Sequence, residues 1–203
     1  MELITKWDPK LESTIMDEWE KEGHDIFKND DRPKYIIDTP PPYVNMPIHI
    51  GHAYTYVYMD AIARYKRMQG FDVLFPLGLD RNGLPIEVQV EKELKLSVRS
   101  TPRDIFISKC KEMLDRYSSA SVNSFIQLGI SFNNYKKDYT LGAMYETDDQ
   151  EFRRLTQETF IELYNRGLIY ESEKVSNYCP DCKISLSDAE VEYEEGNTAL
   201  YYI

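Results

Sequence analysis

Two of the chain's three histidines fall within one tetrapeptide, His49-Ile50-Gly51-His52. They follow the strand-like run Tyr35-Ile36-Ile37-Asp38-Thr39. On the first turn of a helix, positions i and i+3 lie on one side, so both imidazoles can address one anion. A helix N-terminus adds unpaired N–H groups and the positive end of the helix dipole. Gly51 has no Cβ, so a flat base can approach the backbone closely. The chemistry on offer is phosphate binding, with stabilisation of charge that grows on the phosphate in a transition state. A second constellation is Cys179-Pro180-Asp181-Cys182. Cys-x₂-Cys reads as half of a zinc knuckle or as a redox pair. A redox pair should open a helix behind a strand, whereas Lys183, Ser185, Ser187, Asp188 and Glu190 follow here, which favours zinc. Zinc needs four ligands, and Cys110 and His24 are isolated in the sequence.

The elements that must hold these residues can be read from spacing and punctuation. Leu11, Ile15 and Trp19 recur every four residues, which predicts a helix over 9–22, stopped by Gly23. Residues 34–39 are short and β-branched, a first core strand. The segment Thr39-Pro40-Pro41-Pro42-Tyr43 cannot be helical. A helix is predicted over 53–69, capped by Gly70, with Arg64, Lys66 and Arg67 in its last turns. Residues 72–77 form a second buried strand, so strand, helix and strand make a βαβ unit with parallel strands and a right-handed crossover. Residues 78–85 read as a loop leaving the C-terminal edge of that strand, where open parallel sheets carry their ligands. Further helices are predicted over 86–94, from Thr101-Pro102 to about 128, and from a Thr147/Gln150 capping box to Gly167. Residues 168–170 and 174–178 are short strand candidates around a turn.

Bulk properties bound the function. A chain of 203 residues can bury a core. With 24 basic and 35 acidic residues the net charge is −11, which argues against a general nucleic-acid-binding surface and leaves room for a local contact with a nucleic acid. Three cysteines are too few for a disulfide scaffold. No signal-peptide pattern opens the chain and no run of about 18 apolar residues occurs, so a soluble, cytoplasmic protein without membrane association is expected. The sixteen tyrosines are scattered and read as packing residues. The run Leu200-Tyr201-Tyr202-Ile203 has neither cap nor polar tail, and the sequence is expected to have been cut there.

The motifs Ile37-Asp38-Thr39-Pro40-Pro41-Pro42, Pro47-Ile48-His49-Ile50-Gly51-His52-Ala53, the run 60–70 and Gly83-Leu84-Pro85-Ile86-Glu87 together resemble the class I aminoacyl-tRNA synthetases. The likeness is to the branched-aliphatic subgroup, nearest the valyl-tRNA synthetases of archaeal type. It runs from residue 7 to residue 203 and covers only the N-terminal part of such an enzyme. The resemblance implies that His49 and His52 bind the ATP phosphates and that Gly51 lies beneath adenine. Asp80 would hold the substrate α-ammonium, a sensible pairing for a carboxylate at a sheet edge, although composition alone reads it as a turn aspartate. Pro41, Pro42, Tyr43 and Asn45 would wall the amino-acid pocket. Arg81 and Asn82 depart from the family's pattern behind this aspartate.

The implied fold is α/β: the first half of a Rossmann-like doubly wound parallel sheet with a small C-terminal zinc-knuckle-like segment. The implied domains are an N-terminal helical extension (1–33), the nucleotide-binding half of a class I catalytic domain (34–170) and a zinc-knuckle-like segment leading to an editing insertion (171–203). The implied activity is that of a valine–tRNA ligase portion using valine, ATP with Mg²⁺ and tRNA(Val), with Zn²⁺ at Cys179 and Cys182. The family's lysine-rich Lys-Met-Ser-Lys-Ser-like loop is not in this sequence. The chain alone is therefore expected to carry half an active site and to need a complementing chain. Other readings are an isoleucyl or leucyl enzyme, a small nucleotidyltransferase with a His-x-Gly-His turn, and a non-catalytic synthetase-like module.

Overall fold

The computed structural model describes residues 6–181, 183–197 and 199. The chain divides into two compact units, Met1–Gln157 and Glu158–Ile203.

In the first unit the organising feature is one extended path over 72–80, paired on both sides. β1 (Lys34–Ile36) runs parallel to β2 (Asp72–Leu74), with Tyr35 opposite Val73. Further along, Tyr43 forms a parallel bridge with Asp80. On the other side β3 (Gly78–Leu79) runs parallel to β4 (Tyr145–Glu146), and Asn133 N–H donates to Phe75 O at 3.0 Å. The path is interrupted between β2 and β3 at Pro76, which has no N–H to give a ladder. The parallel βαβ unit expected from the sequence is present. β1 is shorter than expected, and 78–79, expected as loop, is a strand.

The crossover from β1 to β2 is α2 (Ile50–Met68), three residues longer at its start than the sequence indicated. The connection from β3 to β4 contains α3 (Leu84–Leu94) and α4 (Arg103–Gln127). α4 begins after Pro102, which is itself the N-cap, so Thr101 does not cap it. α1 (Pro9–Glu22) starts at Asp8, whose carboxylate accepts from Lys10 N–H at 2.9 Å, and ends at Gly23 in the left-handed region with φ 65°. The Arg64 guanidinium lies 4.8 Å over the Trp19 ring and so fastens α1 to α2. The core is aromatic where α2 and α4 meet the sheet. Tyr56 and Phe125 pack edge-on at 4.8 Å, as do Phe125 and Phe132 at 5.6 Å, while Phe75 and Phe132 are tilted at 4.6 Å. Phe75, Leu77, Leu79, Val44 and Val90 are fully buried around them.

α5 (Gln150–Asn165) reaches the second unit, where β5 (Asn177–Cys179) and β6 (Ile184–Leu186) form an antiparallel hairpin. The expected strand at 168–170 is absent, and the later one is confined to 177–179.

Candidate nucleotide and amino-acid site

The histidine tetrapeptide is the N-terminus of α2. His49 is the N-cap and His52 is the third helical residue. Gly51 N–H donates to His49 Nδ1 at 3.0 Å, and His49 N–H donates to His52 Nδ1 at 3.3 Å. A backbone N–H can only donate, so each Nδ1 is an acceptor and each neutral ring carries its proton on Nε2. The rings stack with centroids 4.0 Å apart and 28° between planes. Two Nε2–H donors therefore stand side by side at the positive end of a helix. Burial, with His49 alongside, pushes the His52 imidazole below its ordinary value, which keeps it neutral near pH 7. A Cβ on Gly51 would lie 2.9 Å from His49 Cε1. The glycine thus leaves room for the histidine that caps its own helix.

The proline segment is held from two directions. Tyr56, on α2, donates its hydroxyl to Pro40 O, and Thr39 Oγ1 donates to Pro76 O at 3.2 Å. Asp80 N–H donates to Pro42 O at 2.8 Å, and Val44 N–H donates to Asp80 O at 3.2 Å. This backbone pairing brings Asp80 to Tyr43. Pro42 is buried, Pro41 and Asn45 are half-buried, and Tyr43 is exposed. The segment leads directly into His49. On the far side of β3, the Tyr145 ring lies across Gly78, where a Cβ would fall 2.4 Å from Tyr145 Cζ. Burial, reinforced by the charges of Asp38 and Asp80, pushes the Tyr145 phenol up, so it remains an O–H group.

Asp80 Oδ1 accepts from Asn82 N–H at 3.1 Å and from Thr147 Oγ1 at 3.0 Å. The turn reading of this aspartate thus holds for one of its oxygens. Arg81 points away from Asp80. It is 8% exposed, with Nη2 2.8 Å from Asp115, Nη1 3.2 Å from Glu146 and Nε 2.8 Å from Asp148. Arg81 thus anchors the site loop to the elements behind it. The sequence reading noted Arg81 beside Asp80 without giving it a role, and it did not place Tyr145 or Thr147 in this region. Their roles depend on pairing between β3 and β4, which local spacing does not encode.

The Cys179 end of the other candidate site lies at the close of β5, where Lys183 N–H donates to Cys179 O at 2.7 Å. Cys182 lies outside the described residues. Among the described residues no group of three His, Cys, Asp or Glu is placed to hold a metal. Two thiols fill half of a tetrahedral zinc set, so the Cys179-Pro180-Asp181-Cys182 segment does not by itself make a complete structural zinc site.

A family model described as tRNA synthetases class I (I, L, M and V) matches residues 14–201. The valine–tRNA ligase of Pyrobaculum aerophilum is 47% identical over 99% of this chain and 24% of its own length. That of Nanoarchaeum equitans is 42% identical over 93% of this chain and 24% of its own length. That of Aeropyrum pernix is 38% identical over 98% and 24%. The chain therefore spans about a quarter of the length of the curated relatives it matches. Among solved structures, the ternary complex of Agrobacterium radiobacter K84 agnB2 LeuRS, tRNA and LeuAMS superposes with a TM-score of 0.71. It is 22% identical and covers 90% of this chain and 21% of that one, a likeness of fold. Since the family match extends over nearly the whole sequence, this chain belongs to the class I tRNA synthetases of the isoleucine, leucine, methionine and valine group.

Proposed function

We propose that the chain is the ATP- and amino-acid-binding portion of a valine–tRNA ligase. The observation that carries the proposal is the pair of stacked imidazoles capping α2, each with Nδ1 taken by backbone and Nε2–H directed elsewhere. Identity of 47% to a valine–tRNA ligase supports valine as the amino acid. In the reaction, the valine carboxylate attacks the α-phosphorus of ATP, the bond to the β-phosphate oxygen breaks, and pyrophosphate leaves. A ribose hydroxyl at the end of tRNA(Val) then attacks the adenylate carbonyl and displaces AMP.

In this reading His49 and His52 donate to the ATP phosphates, and the α2 dipole favours their charge. Asp80 holds the valine ammonium. Pro41, Pro42, Tyr43 and Asn45 wall the side-chain pocket, where one methylene is worth only about 1–3 kcal/mol of discrimination. Mg²⁺ would travel with ATP on its phosphate oxygens; no residue of the chain is assigned to it. A complementing segment bearing a lysine-rich loop would supply the remaining phosphate contacts.

The test is a chimera in which this chain replaces the matching quarter of the Pyrobaculum aerophilum enzyme. ATP–pyrophosphate exchange is measured with valine, isoleucine or leucine in turn. Valine-dependent exchange that disappears with His49→Ala plus His52→Ala is the expected result. Exchange driven by isoleucine or leucine instead would overturn the valine assignment. Exchange indifferent to both histidines would overturn the phosphate assignment.

A further inference from the structure

We propose that Thr147 is a positioning residue for Asp80, and that it fixes which carboxylate oxygen meets the substrate ammonium; this rests on the amino-acid-site reading above. Thr147 Oγ1 has three polar neighbours. Arg81 N–H donates to it at 2.9 Å, and Asn82 Nδ2 donates to it at 2.9 Å. A hydroxyl has two lone pairs and one proton. Both lone pairs are filled by groups that only donate, so the proton has one place left to go, Asp80 Oδ1 at 3.0 Å. Asn82 N–H reaches the same oxygen at 3.1 Å. Oδ1 is thereby occupied twice, and among the described residues no hydrogen bond falls on Oδ2. The carboxylate is held in one orientation with Oδ2 available to a cation.

Thr147 is itself rigidly placed. Its N–H donates to Leu79 O at 3.1 Å, which continues the pairing of β3 with β4. Its neighbour Glu146 and the nearby Asp148 hold the buried Arg81 guanidinium from the other side. Residues 67 positions apart in the sequence thus close one ring around the Asp80 turn.

The experiment titrates the full chain with L-valine and with 2-hydroxy-3-methylbutanoate, which replaces the ammonium by a hydroxyl. The proteins are wild type, Thr147→Val, Thr147→Ser and Asp80→Asn, each with a thermal melt. Thr147→Val should weaken L-valine about tenfold, as expected for a lost hydrogen bond to a charged group, and leave the hydroxy acid unchanged. Thr147→Ser should restore L-valine binding. If the valine variant does not fold, Thr147→Ala takes its place. Equal weakening of both ligands would mean a merely structural threonine and would overturn the proposal. So would unchanged L-valine binding in Thr147→Val beside a loss in Asp80→Asn, which would leave the amino-acid site standing. Wild-type chain that binds L-valine no better than the hydroxy acid would overturn both that site and the role of Thr147.

Discussion

Gly51 shows how one missing carbon serves two demands at the residue scale. Its N–H caps onto His49, and the space a Cβ would fill belongs to the His49 ring. Gly51→Ala removes a poor helix former, a gain of up to about 1 kcal/mol, while it displaces the imidazole from its place beside His52. We expect the melting temperature to hold or rise while ATP binding, measured calorimetrically, weakens about tenfold or more, a loss the size of one hydrogen bond to a charged group. A fall in both together would show that the ring does not yield and that the alanine disrupts the start of α2 itself. The same pair makes a pH-dependent cap. The His52 value is lowered in the fold, so the neutral form is favoured there relative to the unfolded chain. Its contribution is complete above the unfolded value of about 6.5 and is lost as pH falls through the lowered native value, when protonated Nδ1 can no longer accept from His49 N–H. Following the His52 ring proton by NMR from pH 8 to pH 4.5 should give a midpoint below that of a histidine in an unstructured peptide. A midpoint above it would contradict the stacked, partly buried arrangement.

At the scale of elements, the sequence was most legible where a helix has one apolar stripe and a conventional stop, as in α1 with its Gly23 cap. It was less so at the start of α2. Caps are sought among Ser, Thr, Asp and Asn, and a capping box made of two histidines carries no such signature, so the helix was expected from Ala53 and begins at Ile50. The reverse error occurred at α5. Thr147 and Gln150 have the spacing of a capping box, yet Thr147 turns to Asp80, and Asp149 accepts from Glu151 N–H at 2.9 Å. Asp149→Ala should therefore cost about 1 kcal/mol in urea denaturation, with fraying of α5 visible in amide shifts of residues 150–153. Thr147→Ser should leave those shifts in place. If Thr147 substitutions fray α5 and Asp149→Ala does not, the two roles are exchanged. The parallel pairing of β1 and β2 was legible because strand, helix and strand are contiguous. The pairing of β3 and β4 was not, because two-residue strands have no periodicity and their partners lie far apart in sequence.

For the molecule as a whole, burial is unevenly distributed, and stability should follow it. All residues of the aromatic and aliphatic core belong to the unit Met1–Gln157. From Glu158 onward no described residue is buried, and Phe160, Ile161, Tyr164, Leu168, Tyr170, Val175 and Tyr178 are exposed. A two-stranded hairpin such as β5–β6 is marginal in water without a packed face. Local opening there needs little apolar surface to be hydrated, whereas freeing the amides around Val73 and Leu79 requires the core to come apart. Native-state hydrogen exchange of the chain should show amides of residues 177–186 exchanging on the order of a hundredfold or more faster, after correction for intrinsic rates, than those of residues 72–79. Addition of an ATP analogue should further protect residues 49–53, through the α2 N-terminus, and leave the hairpin unaffected. Equal protection in both regions would mean that the two units open as one cooperative body.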